Sequence, residues 1–171
     1  MATTTQPTVS VDEYMKTAYH PDCDYVDGVL EERNLGEPEH AEVQGALVEW
    51  FRIHGKDWNI RAFPEVRIQV TPTRFRVADV GLYSREVPVR QVRGARPLAV
   101  IEVVSPEDRI SRYDKRIKDY RQVGIQHIWV VDPQTCRGYD CSSGSWIEAT
   151  SFVVQNSPIH VDLSVIFAEL T

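Results

Sequence analysis

The chain has 171 residues, 42% of them hydrophobic, and a formal net charge of -6. That length supports one core of ordinary size, and no apolar run is long enough for a membrane helix. The acidic balance excludes a protein that coats nucleic acid by bulk positive charge alone.

The opening Met-Ala-Thr-Thr-Thr-Gln-Pro lacks the charged and apolar regions of a signal peptide, and residues 1–9 read as a flexible tail. Ser10 can cap a short helix from Val11 to about Ala18. Cys23 to Asn34 reads as a hairpin with Asp27-Gly28 at its turn, followed by a loop, Leu35-Gly36-Glu37-Pro38. A helix is expected from about Glu39 to His54, because Val43, Ala46, Leu47, Trp50 and Phe51 recur at helical spacing and Gly55 fits its end. The period then changes. Ile60 to Val70 alternates in part and predicts a strand, with Pro64 marking a bulge or an edge. Strands follow at Arg76–Tyr83 and Leu98–Val104, separated by a long arginine-rich connection. Ser105-Pro106-Glu107-Asp108 opens a helix that runs to about Val123, with Ile110, Tyr113, Ile117 and Tyr120 as its buried stripe. Ile125–Val131 is a nearly continuous apolar run, as for a strand covered on both faces. A hairpin around Ser142-Ser143-Gly144, then a strand and a short closing helix between Ile159 and Leu170, complete the chain. This order predicts an α/β fold with a mixed central sheet flanked by helices, and added hairpins at both ends. The four tryptophans, Trp50, Trp58, Trp129 and Trp146, read as core.

Two of these strands each carry one acid: Asp79 in Arg76-Val77-Ala78-Asp79-Val80 and Glu102 in Val100-Ile101-Glu102-Val103. Burying a carboxylate without a partner is costly, so two on neighbouring buried strands suggest a shared cation. The opposing reading makes both acids members of a structural polar network. Charge is also unevenly placed. Arg52 to Arg121 holds 16 basic and 9 acidic residues, an excess of +7, while the rest holds 3 basic and 16 acidic. A solvated charged face accounts for that asymmetry; so does a polyanion surface around an acidic centre. On the helix after Glu102, Arg109, Arg112 and Arg116 fall along one flank, and Arg116 suits a phosphate clamp better than a base because it stays protonated. Glu65 is a weaker third acid, and His40, at a helix start, is a candidate phosphate contact or acid–base group. Glu42 and Gln44 have no assigned role. Three cysteines without metal-type spacing fit a reduced, cytoplasmic setting.

Several pieces occur together in order: Tyr25-Val26-Asp27-Gly28-Val29-Leu30-Glu31-Glu32, His40, Val77-Ala78-Asp79-Val80, Val100-Ile101-Glu102-Val103-Val104-Ser105-Pro106, and Gly124-Ile125-Gln126-His127-Ile128-Trp129-Val130-Val131-Asp132-Pro133. They resemble the Uma-type restriction endonuclease family of the PD-(D/E)xK superfamily. The resemblance implies one restriction-endonuclease-like domain over residues 1–171 and hydrolysis of DNA phosphodiester bonds with Mg²⁺ or Mn²⁺. Asp79, Glu102 and the backbone carbonyl of Val103 would be metal ligands, and Arg109, Arg112, Arg116 and His40 would face nucleic acid. The chain departs from the superfamily where its lysine would stand, at Val104; the family pattern instead places a lysine four residues before a helical tyrosine, and the matching residue is Arg116. The rival readings are a nuclease-fold protein that binds nucleic acid or regulates without cleaving, and an assembly subunit whose acids are structural. A homodimer is expected, since closed dimers are the commonest assembly and cutting a duplex uses two sites.

Overall fold

The computed structural model describes residues 8–33 and 37–171. Helix α1 (Val11–Lys16) starts at Ser10, whose hydroxyl accepts from the Glu13 amide at 3.1 Å. Val9 is tied down rather than loose: its amide donates to the Gly28 carbonyl at 2.9 Å and its carbonyl accepts from the Tyr25 hydroxyl at 2.7 Å. Residues 1–7 of the expected tail, and 34–36 of the expected loop, lie outside the described residues. Strands β1 (Asp24–Val26) and β2 (Val29–Glu31) form the hairpin, and both Asp27 and Gly28 take positive φ (49° and 96°), as a two-residue turn of this kind requires.

Helix α2 (Pro38–Ile53) precedes the long hairpin of β3 (Ile60–Thr71) and β4 (Arg74–Ser84). Strand β5 (Ala99–Val103), helix α3 (Ile110–Gln122) and β6 (His127–Asp132) follow, with β5 and β6 parallel. Next come β7 (Arg137–Asp140) and β8 (Ile147–Ala149). Strands β9 (Ser151–Val153) and β10 (His160–Asp162) pair separately, and α4 (Leu163–Phe167) closes the chain. The eight-stranded mixed sheet runs β2-β1-β4-β5-β6-β7-β8, with β3 also paired to β4. Strand β9 has no counterpart in the sequence reading, because its burial pattern, one inward Phe152 between two exposed residues, is too short to show a period.

Helix α2 packs Val43, Leu47 and Phe51 against Val80, Leu82, Ile101 and Trp129 on one side of the sheet; α3 packs Tyr113, Ile117 and Tyr120 against Val66, Ala78, Val100 and Ile128 on the other. Residues two apart on a strand share a face, yet Ala78 lies with α3 while Val80 and Leu82 lie with α2. The same switch separates Ala62 from Val66 on β3. Between them stands Glu65, with φ of 49°, a left-handed kink that resets the alternation. The pleat therefore changes phase where β3 and β4 carry Glu65 and Asp79.

Helix α3 begins at Ile110, with Arg109 at the cap position, after the opening segment Ser105-Pro106-Glu107-Asp108. Ile110 is not in the buried stripe: it is 67% exposed, because a first-turn residue lies beyond the sheet that covers Tyr113 and Ile117. The tryptophans divide as well. Trp129 is fully buried against Phe152, whereas Trp50 and Trp58 are half-buried beside His54 and His160.

Candidate active site

Strand β4 has β3 along one edge and shares its other edge between β1, which pairs at Arg74 and Phe75, and β5, which pairs from Val80 to Leu82. Between those two partners the β4 backbone needs other hydrogen-bond partners, and side chains supply them. The Val77 amide donates to Asp24 Oδ1 at 2.7 Å, the Val77 carbonyl accepts from Arg116 Nη2, and the Asp79 carbonyl accepts from Gln44 Nε2 at 2.8 Å. This gap in the sheet is the floor of a small pocket, about 20 Å³, lined by Arg33, His40, Asp79, Glu102, Val103, Ser105, Asp108, Arg112, Tyr113 and Arg116.

Asp79 and Glu102, each about 2% exposed, both reach this pocket from adjacent antiparallel strands. Asp79 Oδ2 accepts from the Val103 amide at 2.8 Å and lies 3.4 Å from His40 Nε2, and Oδ1 is paired with Arg33. Burial works to raise the Asp79 pKa, but Arg33, His40 and the Val103 amide overcome it and hold the carboxyl well below its usual range. Glu102 Oε1 accepts from the Tyr120 hydroxyl and from Arg116 Nη2 at 2.9 Å. Burial and the nearby negative charge of Asp79 push Glu102 up to about 7, against the opposing pull of Arg116 and Tyr120. The two carboxyls thus titrate far apart. Burial disfavours the charged form of His40, yet its hydrogen bond and attraction to Asp79 prevail and raise its pKa.

Arg116 is only 3% exposed and joins the β4 gap to the site. Besides Glu102 and the Val77 carbonyl it pairs with Asp24, and its Nη2 lies 3.2 Å from the Tyr120 hydroxyl. Burial opposes its charge, but Asp24 and Glu102 more than compensate. Asp24, fully buried, also binds Arg76 at 3.0 Å, and Arg76 reaches Asp119 of α3 at 2.7 Å. The carboxylates paired with Arg116 are thus Asp24 and Glu102, from two strands, and its side chain lies in the core rather than in solvent.

Of the residues singled out from the sequence, Asp79, Glu102, Val103, His40, Arg112 and Arg116 line one pocket. Arg109 does not: it is exposed, in a neighbouring groove with Glu31, Glu107 and Lys115. Glu65 is exposed as well, turned away by its left-handed backbone. The cation on Asp79 is Arg33, not Arg116. Arg33 and Asp24 went unrecognised. Asp24, between Asp22 and Asp27 at the start of a three-residue strand, lacked the lone-carboxylate signal that marked the other two acids, and Arg33, in the polar run Glu31-Glu32-Arg33, carried none.

The donor atoms suit a hard divalent cation: two carboxylates and the Val103 carbonyl, in a space near the size of one water. Among the described residues no three His, Cys, Asp or Glu side chains form a metal-type cluster. Among these residues a cage built wholly of such side chains is therefore not on offer, so an ion held here would keep several waters, as Mg²⁺ does, and would need more space than now stands open. Also among the described residues, no helix is long and apolar enough to cross a membrane.

A mixed sheet flanked by helices is the restriction-endonuclease-like fold, and here two acids from adjacent strands and an arginine from the crossover helix meet at one pocket. The chain belongs to the Uma2 family, described as "Putative restriction endonuclease", whose model matches residues 11–149. A crystal structure described as that of "a putative nuclease belonging to DUF820", from Anabaena variabilis, superposes with a TM-score of 0.80 at 20% identity, covering 95% of this chain and 99% of that one. No curated protein matches the sequence.

Proposed function

We propose that this chain is a metal-dependent endonuclease acting on DNA. The observation that carries the reading is the meeting of Asp79 and Glu102 with Arg112, Arg116 and His40 in one pocket. Asp79, Glu102 and the Val103 carbonyl are the residues that would hold Mg²⁺ or Mn²⁺. When bound, such an ion supplies positive charge against the phosphoryl oxygens and acidifies attacking water. The remaining work falls to the chain. Arg116 fixes the Glu102 carboxylate, and Arg112, partly exposed and tied to Asp108 at 3.1 Å, is the pocket's outermost arginine of α3 and suits a phosphate oxygen. His40, kept protonated to higher pH by Asp79, is a proton donor beside them. A two-fold dimer would present two such pockets to a duplex, and sedimentation of the purified chain tests that against the 19.6 kDa of a monomer.

The test is cleavage of varied DNA substrates with Mg²⁺ or Mn²⁺. Asp79→Asn should abolish cleavage in a chain that still folds, with a melting temperature lowered by the loss of the Arg33 and His40 pairs; cleavage surviving in that variant would reject the site. The occupation of both carboxylates by guanidinium groups favours a second reading, a nuclease-fold protein that binds nucleic acid without cutting it. DNA binding that persists with no cleavage under any divalent ion would select it.

A further inference from the structure

Beside His40, the arginines Arg116, Arg76, Arg112 and Arg33, in or next to the pocket, are held very differently. Arg116 is fastened by Asp24, Glu102, the Val77 carbonyl and the Tyr120 hydroxyl. Arg76 spans Asp24, Glu31 and Asp119. Arg112 bridges Asp108 and the Glu32 carbonyl, the latter at 2.7 Å. Arg33 has one polar partner among the described residues, Asp79 Oδ1. Removing Arg116 or Arg76 breaks a multiply connected buried network, and removing Arg112 breaks two contacts nearer the surface; Arg33 leaves by giving up a single carboxylate contact among the described residues.

The space matters too. About 20 Å³ stands open beside Asp79, room for one water but not for an ion with the waters it retains. The Arg33 guanidinium occupies the volume next to Asp79 that a hydrated ion needs. Its backbone is held, because Arg112 grips the preceding carbonyl at Glu32, so the side chain is the part free to swing.

We infer that Arg33 is the resident cation of the Asp79 position, and that a divalent ion enters by exchanging with it. Asp79 is then neutralised in both states, by guanidinium without metal and by the metal when bound, so the buried carboxylate is never left alone. This rests on the reading of Asp79 and Glu102 as cation ligands. It makes Arg33 a residue that sets metal affinity, through competition, rather than one that touches the reacting atoms.

Calorimetric titration of the purified full chain with Mn²⁺, without DNA, tests it. Arg33→Gln should bind Mn²⁺ at least about tenfold more tightly than the unaltered chain, since one charge-assisted hydrogen bond no longer competes. Arg33→Lys, which keeps a cation, should stay close to the unaltered chain. As a measurement independent of any variant, the Arg33 side-chain N–H resonance of the unaltered chain should move to a solvent-exposed environment on adding Mg²⁺. Unchanged or weaker Mn²⁺ binding in Arg33→Gln, or an Arg33 resonance that Mg²⁺ leaves in place, would overturn the exchange; if Asp79→Asn still abolishes binding, the metal site itself stands. No Mn²⁺ binding in either the unaltered chain or Arg33→Gln, or full binding in Asp79→Asn, would remove the metal reading and the exchange together.

Discussion

Replacing Arg116 with alanine removes the cation that two buried carboxylates share. Asp24 keeps Arg76 and the Val77 amide, but among the described residues Glu102 keeps only the Tyr120 hydroxyl, and the Val77 carbonyl loses its Arg116 donor. Breaking a buried pair by deleting one partner costs about 3–5 kcal/mol. The low end applies here for two reasons: Glu102 can escape by taking up a proton, and the Arg116 Nε is itself buried without a hydrogen-bond partner among the described residues. About 3 kcal/mol is a large share of the 5–15 kcal/mol that usually holds a domain together, and at this chain length it lowers the melting temperature by roughly 6–12 °C. Urea unfolding followed by tryptophan fluorescence measures it. The same substitution made in a Glu102→Gln background should cost less, by about 1 kcal/mol or more, because no buried charge is then stranded. A cost below about 1 kcal/mol for Arg116→Ala, or equal costs in both backgrounds, would show that the guanidinium does not hold the network and is a solvated helix residue.

The opposite titration of the two acids predicts a pH signature. Glu102, raised from its ordinary 4.5 to about 7, contributes stability that is complete below pH 4.5 and lost as pH rises through 7, whereas the contribution of Asp79, whose pKa is lowered, is present above 3.8 and lost as pH falls. Between pH 4.5 and 7.5, Glu102→Gln should therefore flatten a decline in urea stability seen in the unaltered chain; parallel profiles would contradict the assignment. Gly138→Ala should destabilise by about 1–3 kcal/mol, because a Cβ there would lie 2.1 Å from Leu163 Cδ1; an unchanged melting temperature would disprove the tight fit of β7 on α4. Arg109→Ala should change stability by no more than about 0.5 kcal/mol and weaken salt-dependent DNA binding less than Arg112→Ala, read by fluorescence anisotropy across a salt series.

Much of the fold was legible because its signals are local. The Asp27-Gly28 turn, the Ser10 cap and the apolar run around Trp129 each state their structure within a few residues. The two acids on β4 and β5 were legible for the same reason: a carboxylate among β-branched residues is conspicuous wherever it occurs. What the sequence conceals is the change of pleat phase. Strand β4 is buried at every position from Phe75 to Tyr83, so no alternation shows which face Asp79 takes, and the kink that decides it sits across the hairpin at Glu65. Partners were concealed by distance. Arg116 lies 92 residues from Asp24 and Arg33 lies 46 from Asp79, and nothing in a charged residue's own surroundings names a partner so remote. Ile110 misled because helical spacing gives the direction of a side chain but not whether the sheet extends far enough to cover it.

The apolar residue at position 104 follows from the same geometry. The Val104 amide continues the sheet by donating to the Val131 carbonyl at 2.8 Å, and its side chain packs with the α3-side cluster. A lysine there would have to bring its ammonium back past Tyr113, which already reaches the Val103 carbonyl and Asp108. Glu102 instead receives its cation from the next element, two turns along the α3 face, where Tyr120 and Arg116 stand four residues apart and meet at the same oxygen. Supplying the charge from a helix has a structural consequence that a strand lysine would not. Arg116 can also reach across the open edge of β4 to Asp24, so the residue that neutralises the site also closes the sheet. Its removal is therefore expected to lower stability as well as any activity, whereas Asp79→Asn leaves this closure of the sheet intact and acts only on the site and its own pairs with Arg33 and His40.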